Sequence, residues 1–196
     1  MKIHQVRAKI MAASRDRGAT PFDQSVLIPV FHRWIRESRL GPELLIDVAD
    51  YRHVPDGPGV MIIGDQADYG LDEGGDGLGM AYRRKRDDAS DPATRFTEAL
   101  RAVLTACVAL EGEPSLSLRF DPGRLELGIL SRLVAPNTAE TYDALRPIAS
   151  DLLAGLYGAA EITLRHIDDP RKPFAIAVEA SGDHTCQGLL DRLPAS

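Results

Sequence analysis

The sequence predicts an α+β fold: an antiparallel-dominated sheet with its helices packed on one side. Three observations carry this. Apolar residues switch repeatedly between the two-residue period of a half-buried strand and the three- and four-residue spacing of an amphipathic helix. Capping chemistry stands at the head of each helical stretch, and the alternating stretches that follow are broken by turns in which Asp stands with Pro or Gly. The order is one strand, then three helix-plus-hairpin units, with one extra strand after the first unit.

Val6, Ala8, Ile10 and Ala12 alternate with Arg7, Lys9 and Met11, as in a strand, although Ile3, Val6 and Ile10 would also suit a helix. Thr20, Pro21 and Asp23 make a helix start, with Thr20 as cap, Pro21 in the first turn and Asp23 near the positive helix end. The apolar stripe Phe22, Val26, Leu27, Val30, Phe31, Trp34 and Ile35 follows. Pro29 is expected to kink this helix and Gly41-Pro42 to stop it.

Residues 43–88 read as a meander of three strands, 44–51, 60–69 and 78–85, joined by a Pro- and Gly-rich turn and by the tip Asp72, Glu73, Gly74, Gly75, Asp76, Gly77. Asp91-Pro92 opens a second helix with the stripe Phe96, Leu100, Val103, Leu104, Cys107 and Val108. Leu116, Leu118 and Phe120 alternate into Asp121-Pro122-Gly123, and Leu125, Leu127 and Ile129 alternate out, which predicts a hairpin. A capping box over Asn137, Thr138, Ala139 and Glu140 starts a third helix, which contains Pro147 and ends at Gly158. Ile162, Leu164 and His166 pair with Phe174, Ile176 and Val178 around Asp168-Asp169-Pro170. The tail from Ser181 onward is either a short helix over Leu189, Leu190 and Leu193 or loose.

A chain of 196 residues with 44% apolar and 27% charged residues can bury one sizeable core, and no linker divides it, so one domain over 1–196 is expected. The net charge of −6 disfavours a non-specific grip on nucleic acid or an anionic membrane. Two distant cysteines, Cys107 and Cys186, offer no disulfide framework or zinc motif, and a reduced cytoplasmic setting fits them. The N-terminal residues lack a secretory apolar run, and no stretch approaches a membrane span. No cofactor or metal signature is present, so none is expected.

Phe31-His32-Arg33-Trp34-Ile35, then Leu45 to Tyr51 with Asp47 and Asp50, His53-Val54 and Gly57-Pro58-Gly59-Val60, resemble segments of a set of uncharacterised bacterial proteins of similar length. The likeness extends over most of the chain, with its distinctive residues in this third. It implies no activity.

Asp47, Asp50 and His53 invite a metal or acid-base reading by residue type. Strand parity opposes it, because Asp47 and Asp50 then point to opposite faces. The tip 72–77 lacks the ligand order of a calcium loop and the following helix of a phosphate cradle. Arg83, Arg84, Lys85 and Arg86 form the one basic run, read either as a solvated edge or as a dock for an anion or acidic partner. His32, His166 and Cys107 read as marginal or core residues. The functional expectation is therefore a non-catalytic binding or self-associating protein, acting through the 43–88 meander on a second copy or a protein partner. The alternative is a small hydrolase using Asp50 and His53 with Asp65 or Asp68.

Overall fold

The alternation at the N-terminus does form a strand, and it takes the inner position of the sheet. The computed structural model describes residues 2–13, 22–54, 57–74, 77–85 and 90–194. Eight strands are found in them: β1 (Val6–Ala12), β2 (Leu45–Asp50), β3 (Val60–Gly64), β4 (Ala67–Asp72), β5 (Gly79–Arg84), β6 (Phe120–Ile129), β7 (Ile162–His166) and β8 (Phe174–Ala180). They form one sheet in the order β2-β3-β4-β5-β1-β6-β8-β7, antiparallel at every pairing. Four α-helices, α1 (Leu27–Glu37), α2 (Pro92–Glu111), α3 (Ala139–Tyr157) and α4 (Cys186–Arg192), cover one face. Val6, Ala8 and Ile10 of β1, Met80 and Tyr82 of β5, and Leu125, Leu127 and Ile129 of β6 are buried there beneath α2. No helix among the described residues is long and apolar enough to cross a membrane.

Several boundaries differ from the sequence reading. Thr20 and Pro21 lie outside the described residues, and Asp23 is the cap: its Oδ1 accepts from Ser25 N at 2.9 Å. A 3-10 turn over Gln24–Val26 precedes α1. Pro29 is the third residue of α1 and has no N–H to give back along the chain, so it sets the helix start instead of kinking it. The helix ends at Ser38, in the left-handed region at φ 48°, ahead of Gly41-Pro42. Glu113, just past α2, accepts from Trp34 Nε1 at 2.7 Å and from Arg33, which ties α1 to the end of α2.

The meander has four strands rather than three. Residues 60–69 do not run straight through, because a tight turn at 65–66 divides them into β3 and β4. Glu43 holds that turn: its Oε1 accepts from Ala67 N at 2.6 Å and its Oε2 from Tyr69 Oη at 3.1 Å. The second hairpin is also absent. Ile10 is opposite Leu125 while the next residue, Met11, is opposite Asp121, so 122–124 form a bulge against β1 within a single strand, with Arg124 still opposite Glu179 of β8. Pro122 has no N–H for a ladder, and a bulge absorbs it without ending the pairing. In the third unit the cap is Thr138, one residue later than expected, whose Oγ1 accepts from Thr141 N at 3.4 Å. Asn137 instead donates to the carbonyls of Ile167 and Asp169 at 3.0 and 2.9 Å. The last hairpin, β7–β8, forms as expected, and the tail forms α4 with Leu189 and Leu193 buried. Cys186, the first residue of α4, meets Cys107 of α2, and both thiols are buried.

Trp34→Phe keeps the apolar ring but removes the donor to Glu113 from a fully buried position, leaving a gap and an acceptor one partner short. It is expected to lower the unfolding free energy by about 2 kcal/mol, measured by urea titration.

Candidate functional site

The sequence-derived acid-base residues do not converge. Asp50 and His53 lie at one end of β2, Asp65 and Asp68 beside the other end: Asp50 is in register with Val60, whereas Asp68 is in register with Ile63 and, through it, Asp47. Three register steps, about 10 Å along a strand, separate the two rows. Asp50 is occupied by Arg52, whose Nε donates to Oδ1 at 2.9 Å and Nη2 to Oδ2 at 2.6 Å. Those hydrogen bonds hold the Asp50 carboxyl down to about 2. His53 is exposed, with its ring 6.4 Å from that of Tyr51. Asp68 pairs with Lys85 Nζ at 2.6 Å, and Asp65 sits in the β3–β4 turn with its N–H donated to Leu44 O at 2.8 Å. Among the described residues no three His, Cys, Asp or Glu side chains gather as a metal site.

The basic run is not one patch. β5 lies inside the sheet, so the solvated-edge reading fails, and alternation sends its residues to opposite faces. Arg83 turns to the face without helices and donates to Asp72, Arg84 lies on the helix side with Nη2 3.4 Å from Gln66 Oε1, and Lys85 binds Asp68. Arg86 lies outside the described residues.

What the fold does bring together is a cluster on the helix-free face. Register places Asp68, Arg83, Arg7, Gly128 and Ala175 side by side across β4, β5, β1, β6 and β8. The adjacent row holds Lys9 and Glu126. Lys9 is fully buried although it faces away from the helices, because Gly74 and Gly77, between β4 and β5, close on it: its Nζ donates to Gly74 O at 2.5 Å and Gly77 O at 2.6 Å, with Asp72 Oδ1 at 3.7 Å. Asp72 Oδ2 also accepts from Arg7 Nη2 at 3.2 Å and from Arg83, while Arg7 Nη1 donates to Glu126 Oε2 at 2.6 Å. Beside this cluster opens a cleft of about 660 Å³. Its polar end is Arg7, Asp72, Arg83 and Glu126; its other end is Leu130, Ile167 and Pro173, with Lys172 on the rim and Gly128 and Ala175 on the floor.

Burial alone would raise the Asp72 carboxyl, but the charges of Arg7, Lys9 and Arg83 outweigh it and hold the group below its ordinary value. Burial lowers the Lys9 ammonium, with Asp72 opposing and Arg7 adding to that shift. Sequence reasoning took Asp72 only as part of a glycine-rich tip and passed over Arg7, Lys9 and Glu126. The available signal was their position: charged residues alternating with Val6, Ala8 and Ile10, and with Leu125 and Leu127, on strands that prove to be central.

Because the folded-state value of Asp72 is depressed, its contribution to stability is complete above the ordinary carboxylate range and is lost as pH falls through the depressed value. Asp72→Asn is expected to cost about 3 kcal/mol at pH 7, since it removes the carboxylate that Arg7, Lys9 and Arg83 share. The deficit relative to the unmodified chain should shrink below pH 4, as followed by urea titration across pH. No protein-family model matches this chain, and neither the curated proteins nor the solved structures contain a match.

Proposed function

We propose that this is a non-catalytic binding protein whose ligand is a small anion seated in the cleft on the helix-free face, with the 43–88 meander supplying Asp72, Gly74 and Arg83. One observation carries the reading: the side chains that line the cleft set three cations, Arg7, Arg83 and Lys172, against two carboxylates, Asp72 and Glu126, with the buried Lys9 ammonium behind Asp72. In a chain of net charge −6 this is a local excess of positive charge in a partly desolvated recess, where it favours an anion. Concave shape, mixed polar and apolar lining and perturbed titrating groups are the usual marks of a small-ligand site.

Self-association is the second reading, favoured by the outer edge of the meander, where Leu44, Ile46, Tyr51 and Val54 are exposed along or beside the edge strand β2. Strand-to-strand addition there is opposed by an irregularity between Leu45 and Asp47 and by the Asp47 carboxylate, whose Oδ1 accepts from Val48 N at 2.7 Å. Contact through the apolar side chains is not opposed in this way.

A thermal-melt screen of the purified chain against acetate, benzoate, phosphate and neutral analogues tests the first reading. Anions should raise the melting temperature, less so in high salt and less again in Arg83→Gln; no stabilisation by any anion would overturn it. Sizing at several concentrations tests the second, with a shift towards a larger species that Ile46→Lys removes; a monomer at every concentration would end it.

A further inference from the structure

The two ends of the cleft differ in a way that specifies more than charge. At the polar end, Arg7 and Arg83 are register neighbours on β1 and β5 and share Asp72 Oδ2. Each guanidinium has about five N–H donors in a planar fork. Bonds to Asp72 and Glu126 occupy two donors of Arg7, and the bond to Asp72 one of Arg83. Both side chains are partly exposed, at 18% and 26%, whereas Lys9 is closed off at 0% and spends its donors on Gly74 O and Gly77 O. An incoming anion therefore meets the guanidinium pair and not the Lys9 ammonium.

At the other end the floor carries almost no side chain. Gly128 and Ala175 follow Arg7 in the same row, and a Cβ on Gly128 would stand 2.9 Å from Phe174 O, so the surface there is peptide backbone. Leu130, Ile167 and Pro173 stand over it as an apolar wall. From Arg7 to Ala175 is two strand spacings, about 10 Å, which is the length of a carboxylate joined through a short chain to one ring.

We infer that the ligand of this cleft is a monocarboxylate with a flat apolar body, its carboxylate bound by the guanidinium groups of Arg7 and Arg83 and its body laid over Gly128 and Ala175 against Leu130, Ile167 and Pro173. The inference rests on the anion-binding reading above and narrows it. The charged side chains that line the cleft, Arg7, Arg83 and Lys172 against Asp72 and Glu126, leave one positive charge to be met, which suits a monoanion better than a phosphate dianion. A planar carboxylate also matches the guanidinium fork in a way a lone point charge does not.

Calorimetric titration of the whole chain with 3-phenylpropionate, 3-phenylpropionamide, acetate and inorganic phosphate tests this. The phenylpropionate should bind tightest, with the neutral amide and the bodiless acetate each weaker by about tenfold or more. Ala175→Leu, which fills the floor and leaves the charges in place, should weaken phenylpropionate by about tenfold while phosphate and acetate are unchanged. If that variant does not fold, Ile167→Ala serves, with a loss of about threefold confined to phenylpropionate. Phosphate binding as tightly as phenylpropionate, or indifference to both variants, would overturn the monocarboxylate while leaving anion binding intact; an amide equal to the acid would overturn both. Silence from all four probes would instead overturn the reading on which it stands.

Discussion

A lysine buried on an inner strand is the constraint from which the helix-free face is organised. Lys9 sits on β1, with four strands of the sheet on one side and three on the other, and no helix among the described residues covers its side. An ammonium enclosed without partners costs many kcal/mol, of order 20 by Born solvation and several after relaxation. Gly74 and Gly77, on the stretch that joins β4 to β5, answer this by offering it their carbonyl oxygens. Gly77 stands at φ 120°, a backbone conformation that favours glycine, and a Cβ on Gly79, the first residue of β5, would stand 2.8 Å from Lys9 Cε.

Further consequences follow in sequence. Asp72 ends β4 at the root of that stretch, and its carboxylate meets Arg83 of the adjacent strand β5 and Arg7 of β1 beyond it. Glu126 on β6 fixes the other side of Arg7. Two guanidinium groups are thus held in place by acids that do not fully neutralise them, next to a floor of small residues. Preorganised donors of this kind bind with less loss of side-chain freedom than free surface arginines. The arrangement needs the sheet order β5-β1-β6-β8, so it exists only once non-local strands have paired.

That dependence explains what could and could not be read from the chain. Local signals held well: Asp91 caps α2, Gly158 at φ 67° closes α3, and the Asp169-Pro170 turn joins β7 to β8. Signals that look local but are settled by tertiary pairing misled. Asp121-Pro122-Gly123 has hairpin chemistry, yet β6 runs through it because β1 pairs on both sides, Ile10 with Leu125 and Met11 and Ala12 with Asp121 and Phe120. The break at 65–66 has no Gly-Pro or Asn-Gly marker; it is fixed by Glu43, more than twenty residues earlier. The site escaped for the same reason. Arg7, Asp72, Arg83 and Glu126 come from four separate strands, and their meeting is a property of strand order, which periodicity does not encode.

The contact between Cys107 and Cys186 joins the tail to the longest helix with the only two sulfhydryls in the sequence, and both are sealed from solvent. Burial and the neighbouring thiol push Cys107 well above its ordinary value, so it is chemically quiet while α4 stays docked. The chain consequently carries its own gauge of local opening. The rate at which a thiol reagent labels it reports how often the tail lifts away, separately from how often the whole sheet comes apart.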